Sequence, residues 1–295
     1  MGRPLAGTLV ALALFAGAGS ARAQSFETAR LLGFGGARRA LGFSTEAVFV
    51  NPAGLAFGRA YDVESSYGDD LREADRRVNL TIADGQAGDV AGALAFTYGR
   101  QRPPGSLASP ERLEGLRVDV AAAIGPFDGF ALGVSTRYAN LRRLDGNGEE
   151  IADGGAEDVA FDAGLQWRPG GGVALGASIR NFTAGRQPGL PRAWGAGIGY
   201  QTGPFLAEVD VDHAWETRDP TYTGTLGYVV NELVPLRVAV AYLQETGEVR
   251  LAGGIGIFYQ RLSLDLAYQQ IVDPVAEAPD PDDRLLVVSL GIRAF

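Results

Sequence analysis

The eight residues FLAEVDVD, Phe205–Asp212, combine two unlike sets of side chains in strict alternation. The first set reads F, A, V and V, and the second reads L, E, D and D. Successive side chains of a β-strand point to opposite faces, so the first set forms an apolar face and the second a largely acidic one. Alternation of period two predicts a strand whose two faces meet different surroundings.

The same alternation recurs along the chain, for example in LSLDLAY (Leu262–Tyr268) and VAFDAGLQW (Val159–Trp167). No amphipathic helix of ordinary length separates the segments, which argues against parallel strands joined by helices. The composition does not shift along these segments, so we expect one barrel rather than two domains. The fourteen predicted strands start near Tyr61, Arg77, Val90, Leu116, Phe130, Val159, Val173, Trp194, Phe205, Tyr222, Leu236, Arg250, Leu262 and Leu285.

The connections between these strands alternate in length. Short connections such as RPGG and QTG follow the even-numbered strands, whereas longer ones such as NFTAGRQPGLP follow most of the odd-numbered strands. Short turns at one end and long loops at the other are typical of transmembrane barrels of the bacterial outer membrane. The sequence therefore predicts an all-β fold, a 14-stranded antiparallel transmembrane β-barrel surrounded by outer-membrane lipid.

The face opposite the apolar one carries charges of both signs, and this decides which face meets lipid. An Arg facing lipid at mid-depth costs about 2–4 kcal/mol, so we expect the charged face to line the lumen. The charges either set ion selectivity or pair with each other and with a plug; we favour pairing, because buried polar groups need partners. A soluble antiparallel β-protein of the periplasm is the alternative fold. The predicted lumen-facing charged residues are Arg117, Asp119, Arg137, Asp162, Arg180, Glu208, Asp210, Arg237 and Asp265.

The first 23 residues resemble a secretory signal peptide. Arg3 precedes an apolar run, and Ala21-Arg22-Ala23 matches an A-x-A cleavage site. We expect a mature chain that begins at Gln24 and reaches the outer membrane of a Gram-negative bacterium. A retained N-terminal anchor is the alternative interpretation.

Composition excludes several kinds of chemistry. The chain has no Cys, so it offers no disulfide, thiol nucleophile or thiolate metal site, and its net charge of −9 argues against binding nucleic acid. The single His, His213, is interpreted as a surface-loop residue. DGNGEEIAD (Asp145–Asp153) spaces oxygen ligands like a calcium loop, but Glu150 stands where that loop needs Gly. We predict no catalytic residues, no cofactor and no metal site.

Residues 24–59 lack long alternation and include VFVNPAGLAFG (Val48–Gly58). Asn51 is suited to cap a short helix that begins at Pro52, because Pro lacks an N–H that has no helical partner there anyway. Many inward positions of the predicted barrel are Ala or Gly, which leaves room for a plug. We therefore predict an N-terminal hatch at 24–59 and a barrel at 60–295. The predicted hatch motif is Asn51, Pro52, Ala53 and Gly54.

The stretch GFGGARRALGFSTEAVFVNPAGLA, followed by strands such as FALGVSTRY and LPRAWGAGIGY, resembles the FadL superfamily of outer-membrane barrels, and most closely its PorV/PorQ branch. The resemblance covers nearly all of the mature chain and rests on Asn51-Pro52-Ala53 between a signal peptide and fourteen strands. It implies a Gly-rich hatch. The C-terminal strand, LLVVSLGIRAF, resembles the signal by which such barrels engage the barrel assembly machinery.

The resemblance implies two alternative functions. FadL-type barrels pass hydrophobic molecules through the membrane, whereas PorV-type barrels act as outer-membrane components of protein export. The outer loops of this chain are rich in charged residues, Pro and Gly, and lack an apolar stretch for a fatty chain. The predicted function is transport or binding of small hydrophobic compounds. The alternative is a non-transporting scaffold or a component of a protein secretion system.

Overall fold

A computed structural model describes residues 28–71, 76–86, 88–101, 111–151, 155–183, 192–215, 219–273 and 284–294. Fourteen antiparallel strands form a closed barrel in which each strand pairs with its neighbours in sequence and β1 pairs with β14. The predicted strand count, antiparallel order and closure are confirmed. The predicted signal peptide, residues 1–23, lies outside the described residues.

The barrel follows an N-terminal segment that contains only short helices. The strands are β1 Tyr61–Asp70, β2 Arg76–Asp84, β3 Val90–Gln101, β4 Arg112–Phe127, β5 Phe130–Leu144, β6 Ala156–Gly170, β7 Val173–Arg180, β8 Ala193–Thr202, β9 Phe205–Ala214, β10 Thr221–Val230, β11 Val234–Leu243, β12 Glu248–Tyr259, β13 Leu262–Asp273 and β14 Arg284–Ala294. Before them lie α1 Ala29–Gly33, the 3₁₀ helix Ser44–Glu46, α2 Ala47–Val50 and the 3₁₀ helix Pro52–Phe57.

The apolar set of alternating side chains points out of the barrel. Val120, Val209 and Ile255, on three different strands, each expose about half of their surface. Soluble monomers rarely expose a continuous apolar surface, and here it extends over strands all round the barrel. No helix among the described residues is long and apolar enough to cross a membrane.

The second set of side chains points inward and is small or polar. Ala95, Ala121 and Ala160 are almost completely buried, and so are Asp119 and Asp162. Register keeps the two sets apart: Asp119 pairs with Arg137 across β4 and β5, and the outward Val120 pairs with Thr136. A barrel lined by Ala and Gly has more internal space than one lined by large side chains, and the N-terminal segment occupies that space.

The two ends of the barrel differ as the alternating connections indicated. Two residues join β4 to β5, and Gly129 there takes a positive φ of 75°, which a residue with a Cβ rarely adopts. Two residues also join β6 to β7, β8 to β9 and β12 to β13. Ten residues separate β3 from β4 and eleven separate β5 from β6, at the opposite end. The N-terminal segment enters β1 at the short-turn end.

Candidate functional site

The N-terminal segment, residues 28–60, lies inside the barrel and contacts the inward face of every strand. The short helices and turns of the segment follow the circumference of the lumen, so that different parts of the segment contact different strands. Helix α1 packs on β11 to β14, and the 3₁₀ helix Pro52–Phe57 packs on β3 to β6. Inward residues against the segment, one from each strand, are Asp62, Ala83, Ala91, Ala121, Gly133, Gly164, Gly176, Gly199, Asp210, Gly227, Arg237, Gly254, Ala267 and Ser289.

Acidic side chains of β9 bind the main chain of the segment. Asp210 Oδ2 accepts hydrogen bonds from the backbone N–H groups of Arg38 and Arg39, at 3.0 and 3.1 Å. Two residues away on the same face, Glu208 Oε1 accepts from the N–H of Ala40 at 2.6 Å. These N–H groups lie in a turn without helical partners, so the carboxylates satisfy donors that would otherwise be buried unpaired. The FLAEVDVD strand therefore anchors the segment.

The opposite side of the segment is bound by β1. Ser44 donates to Asp62, and Thr45 donates to Glu64. Both hydroxyls belong to the 3₁₀ helix that precedes α2, and both carboxylates point inward from the first strand of the wall. The segment is thus held by carboxylates on two strands that lie on different sides of the barrel.

A buried ion pair joins the two parts of the segment that these carboxylates hold. Arg38 Nε lies 2.9 Å from Glu46 Oε2, and Arg30 Nη1 lies 3.6 Å from Glu46 Oε1. Burial by itself raises the pKa of Glu46, but Arg38 and Arg30 outweigh it and hold that pKa below its ordinary value. Glu46 is therefore charged at neutral pH and cross-links residues 30 and 38.

Asn51 connects three stretches of chain. Its Oδ1 accepts from the N–H of Ala53 at 3.2 Å, which caps the 3₁₀ helix that begins at Pro52. Its Nδ2 donates to the carbonyl of Arg39 at 2.8 Å and to the carbonyl of Leu165 on β6 at 2.9 Å. All polar atoms of this buried side chain are thereby used. Ala53 and Gly54 follow in the helix, where a Cβ on Gly54 would collide with the carbonyl oxygen of Gly42.

Inward glycines let the wall approach the segment closely. A Cβ at Gly164 would collide with Asn51 Oδ1, and a Cβ at Gly133 would collide with the backbone of Pro52 and Ala53. Gly176 makes an equally close approach to the carbonyl of Arg39. Gly in a strand commonly marks a site of close backbone approach, and here it lies against the segment on neighbouring strands.

The charged residues predicted to line the lumen fall into four groups according to their partners. Arg117 Nε lies 3.0 Å from Asp119, and Arg137 contacts both Asp119 and Asp162. The second group is Arg180, whose Nη2 lies 2.6 Å from Asp212, an acid that Arg39 of the segment also contacts. The third pairs Arg237 with Asp265 at 2.7 Å. Glu208 and Asp210 bind the segment as described.

The side of the segment that faces β2 to β4 is apolar. Val48, Phe49 and Leu55 are at most 2% exposed, and they pack in one cluster with Ala91, Ala121 and other inward Ala side chains. Methyl groups offer no hydrogen bonds, so this contact depends on packing and on the hydrophobic effect. The segment is therefore bound by polar contacts on β9 and β1, and by apolar contacts on β2 to β4.

A cavity of about 200 Å³ lies between the segment and the wall at the short-turn end. Arg30 and Thr45 line it from the segment, and Glu64, Phe258 and Ser263 line it from the wall. The wall residues that line the cavity belong to β12, β13, β14 and β1 and to the turn between β12 and β13.

Other residues singled out in the sequence stand apart from this site. The interpretation of His213 as a surface-loop residue was wrong, because His213 lies within β9, beside the outward-facing Trp194 of β8, with ring centroids 5.7 Å apart. Asp145 accepts hydrogen bonds from the N–H groups of Asn147 and Glu149 in its own loop, which hold its pKa below the ordinary value. Asp153 lies outside the described residues. In the described part of the chain, no three His, Cys, Asp or Glu side chains come together as metal ligands.

Sequence reasoning missed Arg38, Arg39, Glu46 and Gln166. Gln166 Nε2 donates to the carbonyls of Arg39 and Gly42, at 3.0 and 2.9 Å. A usable signal existed, because Gln166 lies on the inward face of VAFDAGLQW, where a long amide must find partners. The paired arginines carried no comparable signal.

No protein-family model and no curated protein sequence matches the chain. Solved structures do match. A monoaromatic hydrocarbon channel, CymD, has a TM-score of 0.66 at 14% identity, over 89% of this chain and 96% of that one. The Ralstonia pickettii toluene transporter TbuX has 0.64 at 14%, over 91% and 98%. A Pseudomonas aeruginosa FadL homologue has 0.58 at 14%, over 93% and 99%. At these identities the likeness shows a shared fold.

Proposed function

We propose that this protein is an outer-membrane barrel that passes small hydrophobic compounds across the membrane, with residues 24–59 as its hatch. The observation that carries the proposal is the N-terminal segment, which lies inside a barrel whose fold is shared with hydrocarbon channels and a toluene transporter. Export by a cleaved signal peptide, residues 1–23, belongs to the same proposal. So does membership of the FadL superfamily, on the Asn51-Pro52-Ala53 motif.

The exposed surface supports a membrane location. The outward face of the strands is apolar and would bury itself in hydrocarbon, whereas the charges point into the lumen, where they pair. Transmembrane β-barrels alternate apolar and polar side chains in this way. A water-soluble barrel of this sequence would expose that apolar surface to solvent and aggregate.

The position of the segment inside the barrel determines whether a compound can pass through the lumen. The segment contacts all fourteen strands, so a compound the size of toluene needs part of the segment to shift before the compound can pass. The apolar contact with β2 to β4 can be replaced by contact with an apolar compound at little cost, whereas the hydrogen bonds to Glu208 and Asp210 cannot. A gate of this kind lets apolar compounds through the barrel and blocks the passage of ions.

A reversible covalent lock tests the gate, and the absence of native Cys makes the test clean. Ala29 of α1 donates its backbone N–H to Ser289 Oγ of β14 at 2.8 Å, which keeps the two Cα atoms within the span of a disulfide. We expect liposomes with oxidised A29C/S289C to take up toluene slowly, and reductant to restore uptake. The two single-Cys variants are the controls.

The same assay separates the proposal from its alternative. Equal uptake by the oxidised and reduced forms would show that the hatch does not gate the path. No uptake by wild type, whether as purified or after urea has loosened the segment, would exclude transport of toluene.

The alternative is a non-transporting scaffold or a component of a protein secretion system, as the PorV/PorQ resemblance implies. One observation favours it: at the level of the segment, polar and apolar contacts reach the whole circumference of the lumen. On this alternative the segment is a permanent plug, and partner proteins bind the ends of the barrel. Co-purification of a stoichiometric protein partner, together with absent toluene uptake, is its expected result.

A further inference from the structure

Three arginines with exposed side chains lie on the outward face of the barrel, at its long-loop end. Arg76 begins β2, Arg100 lies near the end of β3 and Arg142 near the end of β5. Their side chains are 66%, 42% and 54% exposed. Each arginine is an even number of positions from an apolar side chain of its own strand that exposes half of its surface or more: Val78, Tyr98 and Val134. The three arginines therefore stand at the outer edge of the lipid-facing surface.

The register of the strands places these arginines in one row with two acids. Arg76 of β2 pairs with Asp69 of β1. Glu114 of β4 pairs with Arg100 of β3 and with Arg142 of β5. The pairing of β2 with β3 reaches the positions next to Arg76 and Arg100, so these two arginines lie side by side. The row crosses five neighbouring strands, which is a distance of about 20 Å at 4.8 Å between strands.

The two acids of the row leave most of the hydrogen-bonding capacity of the arginines unused. The side chains of Asp69 and Glu114 are 26% and 19% exposed, less than those of any of the three arginines. Arg76 and Arg100 contact these acids through Nε, at 3.5 and 3.1 Å. A guanidinium group carries five N–H donors, so one such contact leaves its two terminal amino groups for a further ligand.

Two tyrosines locate the row relative to the membrane. Tyr67 donates its hydroxyl to Asp69 at 2.8 Å, and Tyr98 donates its hydroxyl to Glu114 at 2.6 Å. Tyrosines gather where hydrocarbon meets water, because the ring is apolar and the hydroxyl is polar. The row is on the hydroxyl side of both rings and therefore lies at the depth of the lipid head groups.

The end of the barrel determines which lipid the row meets. Longer loops are extracellular in transmembrane β-barrels, so the row lies in the outer leaflet. In a Gram-negative outer membrane this leaflet consists mainly of lipopolysaccharide, whose lipid anchor, lipid A, carries phosphate groups. Arginine suits phosphate because its planar guanidinium donates two parallel hydrogen bonds to the phosphate oxygens. The exposed cations and the leaflet thus have complementary charges.

We propose that the row formed by Arg76, Arg100 and Arg142 binds the phosphates of one lipid A molecule. One phosphate contacts Arg76 and Arg100 together, and a second contacts Arg142, which lies two strands from Arg100, about 10 Å away. The acyl chains of the lipid then cover the apolar outward face beneath the row. This inference rests on the proposed location in the outer membrane and not on transport, because the site is on the outside of the wall.

Native mass spectrometry of the protein purified in detergent tests the site. The probes are lipid A with two phosphates, the same lipid with its phosphates removed, and phosphatidylglycerol. We expect one lipid A per barrel, bound about tenfold or more tightly than either of the other lipids. Equal binding of lipid A and its dephosphorylated form would overturn the proposal. So would phosphatidylglycerol binding as tightly as lipid A, or an absence of lipid A binding.

Charge removal at the two ends of the barrel locates the binding. One arginine near a membrane surface contributes about a fivefold factor, so Arg100→Gln should weaken lipid A binding about fivefold. Arg76→Gln together with Arg100→Gln should weaken it about 30-fold. The control Arg261→Gln removes the same charge from the exposed turn between β12 and β13 and should leave binding unchanged. Equal losses in Arg100→Gln and Arg261→Gln would indicate an effect of net charge and overturn the site.

Toluene uptake by liposomes that contain the same variants distinguishes the failure of this site from the failure of transport. Weakened lipid A binding by Arg76→Gln with Arg100→Gln, at an unchanged rate of uptake, supports a site on the wall that is separate from the lumen. Uptake by wild type without lipid A binding overturns the site and leaves the proposed transport standing. Lipid A binding that the two substitutions weaken, without uptake by wild type, supports the site and counts against transport.

Discussion

Asn51 donates a hydrogen bond to the carbonyl oxygen of Leu165 at 2.9 Å, although the two residues lie 114 positions apart in the chain. The carbonyl belongs to β6, and Asn51 is the cap of a helix in the N-terminal segment. One side chain therefore caps the 3₁₀ helix Pro52–Phe57, binds the preceding turn at Arg39 and attaches both to β6 of the wall. Loss of this side chain should release the segment without removing any hydrogen bond between neighbouring strands.

We predict that Asn51→Ala opens the segment more often. Two buried carbonyls lose their donor and the helix loses its cap, which costs about 1–3 kcal/mol and raises the open population about 5- to 150-fold. Trypsin cleavage after Arg38 or Arg39 reports that opening, because both residues are at most 3% exposed in the closed state. Ion conductance in a planar bilayer should rise in parallel.

The control for this prediction is Asn147→Ala, in an exposed outer loop. It should leave both trypsin cleavage and conductance at wild-type values. If Asn51→Ala gave the same conductance and cleavage rate as wild type, Asn51 would not hold the segment in place.

A second prediction compares two glycines in strands. Gly164→Ala places a Cβ against Asn51 Oδ1 and Pro52, so the segment must shift, whereas Gly224→Ala on β10 meets nothing within 4 Å. We expect Gly164→Ala to raise the rate of trypsin cleavage after Arg38, while Gly224→Ala leaves it unchanged. Equal effects of the two substitutions would indicate a general cost of Ala in the strand and not a contact with the segment.

The wall could be predicted from the sequence because its signal is local. In FLAEVDVD and LSLDLAY the period of two assigns each residue to a face, and the alternation of short and long connections indicates an antiparallel barrel. The turn at Asn51-Pro52 also has a local signal, since both residue types favour the start of a helix.

The attachment of the segment to the wall could not be predicted in the same way. Arg38 and Asp210 lie 172 positions apart, and no periodicity relates them. The contact is also made by a backbone N–H, which every residue except Pro carries, so the identity of Arg38 does not reveal it. The sequence indicated only a general pattern of small inward residues, and it did not single out Gly164 or Gly176. Which glycine meets which backbone atom depends on the path of the whole segment.

The final prediction concerns Asp210, the carboxylate of β9 that binds the backbone of the segment. Asp210→Asn preserves the shape of the side chain but replaces a carboxylate that accepts three hydrogen bonds from Arg38 and Arg39 by a neutral amide. Hydrogen bonds to charged groups contribute about 1.5–3 kcal/mol, roughly twice as much as neutral ones, so the substitution should weaken the anchor without abolishing it. We expect faster trypsin cleavage after Arg39 than in wild type, with Asp210→Ala faster again.

Asp128→Asn, in the exposed turn between β4 and β5, removes an equal charge away from the segment and should leave cleavage unchanged. This control matters because the chain is acidic overall, and any Asp→Asn change alters its net charge. If Asp128→Asn accelerated cleavage as much as Asp210→Asn, the effect would come from net charge. If only Asp210→Asn did so, the acidic face of FLAEVDVD would hold the segment in place, because this carboxylate binds backbone N–H groups that nothing else in that turn can satisfy.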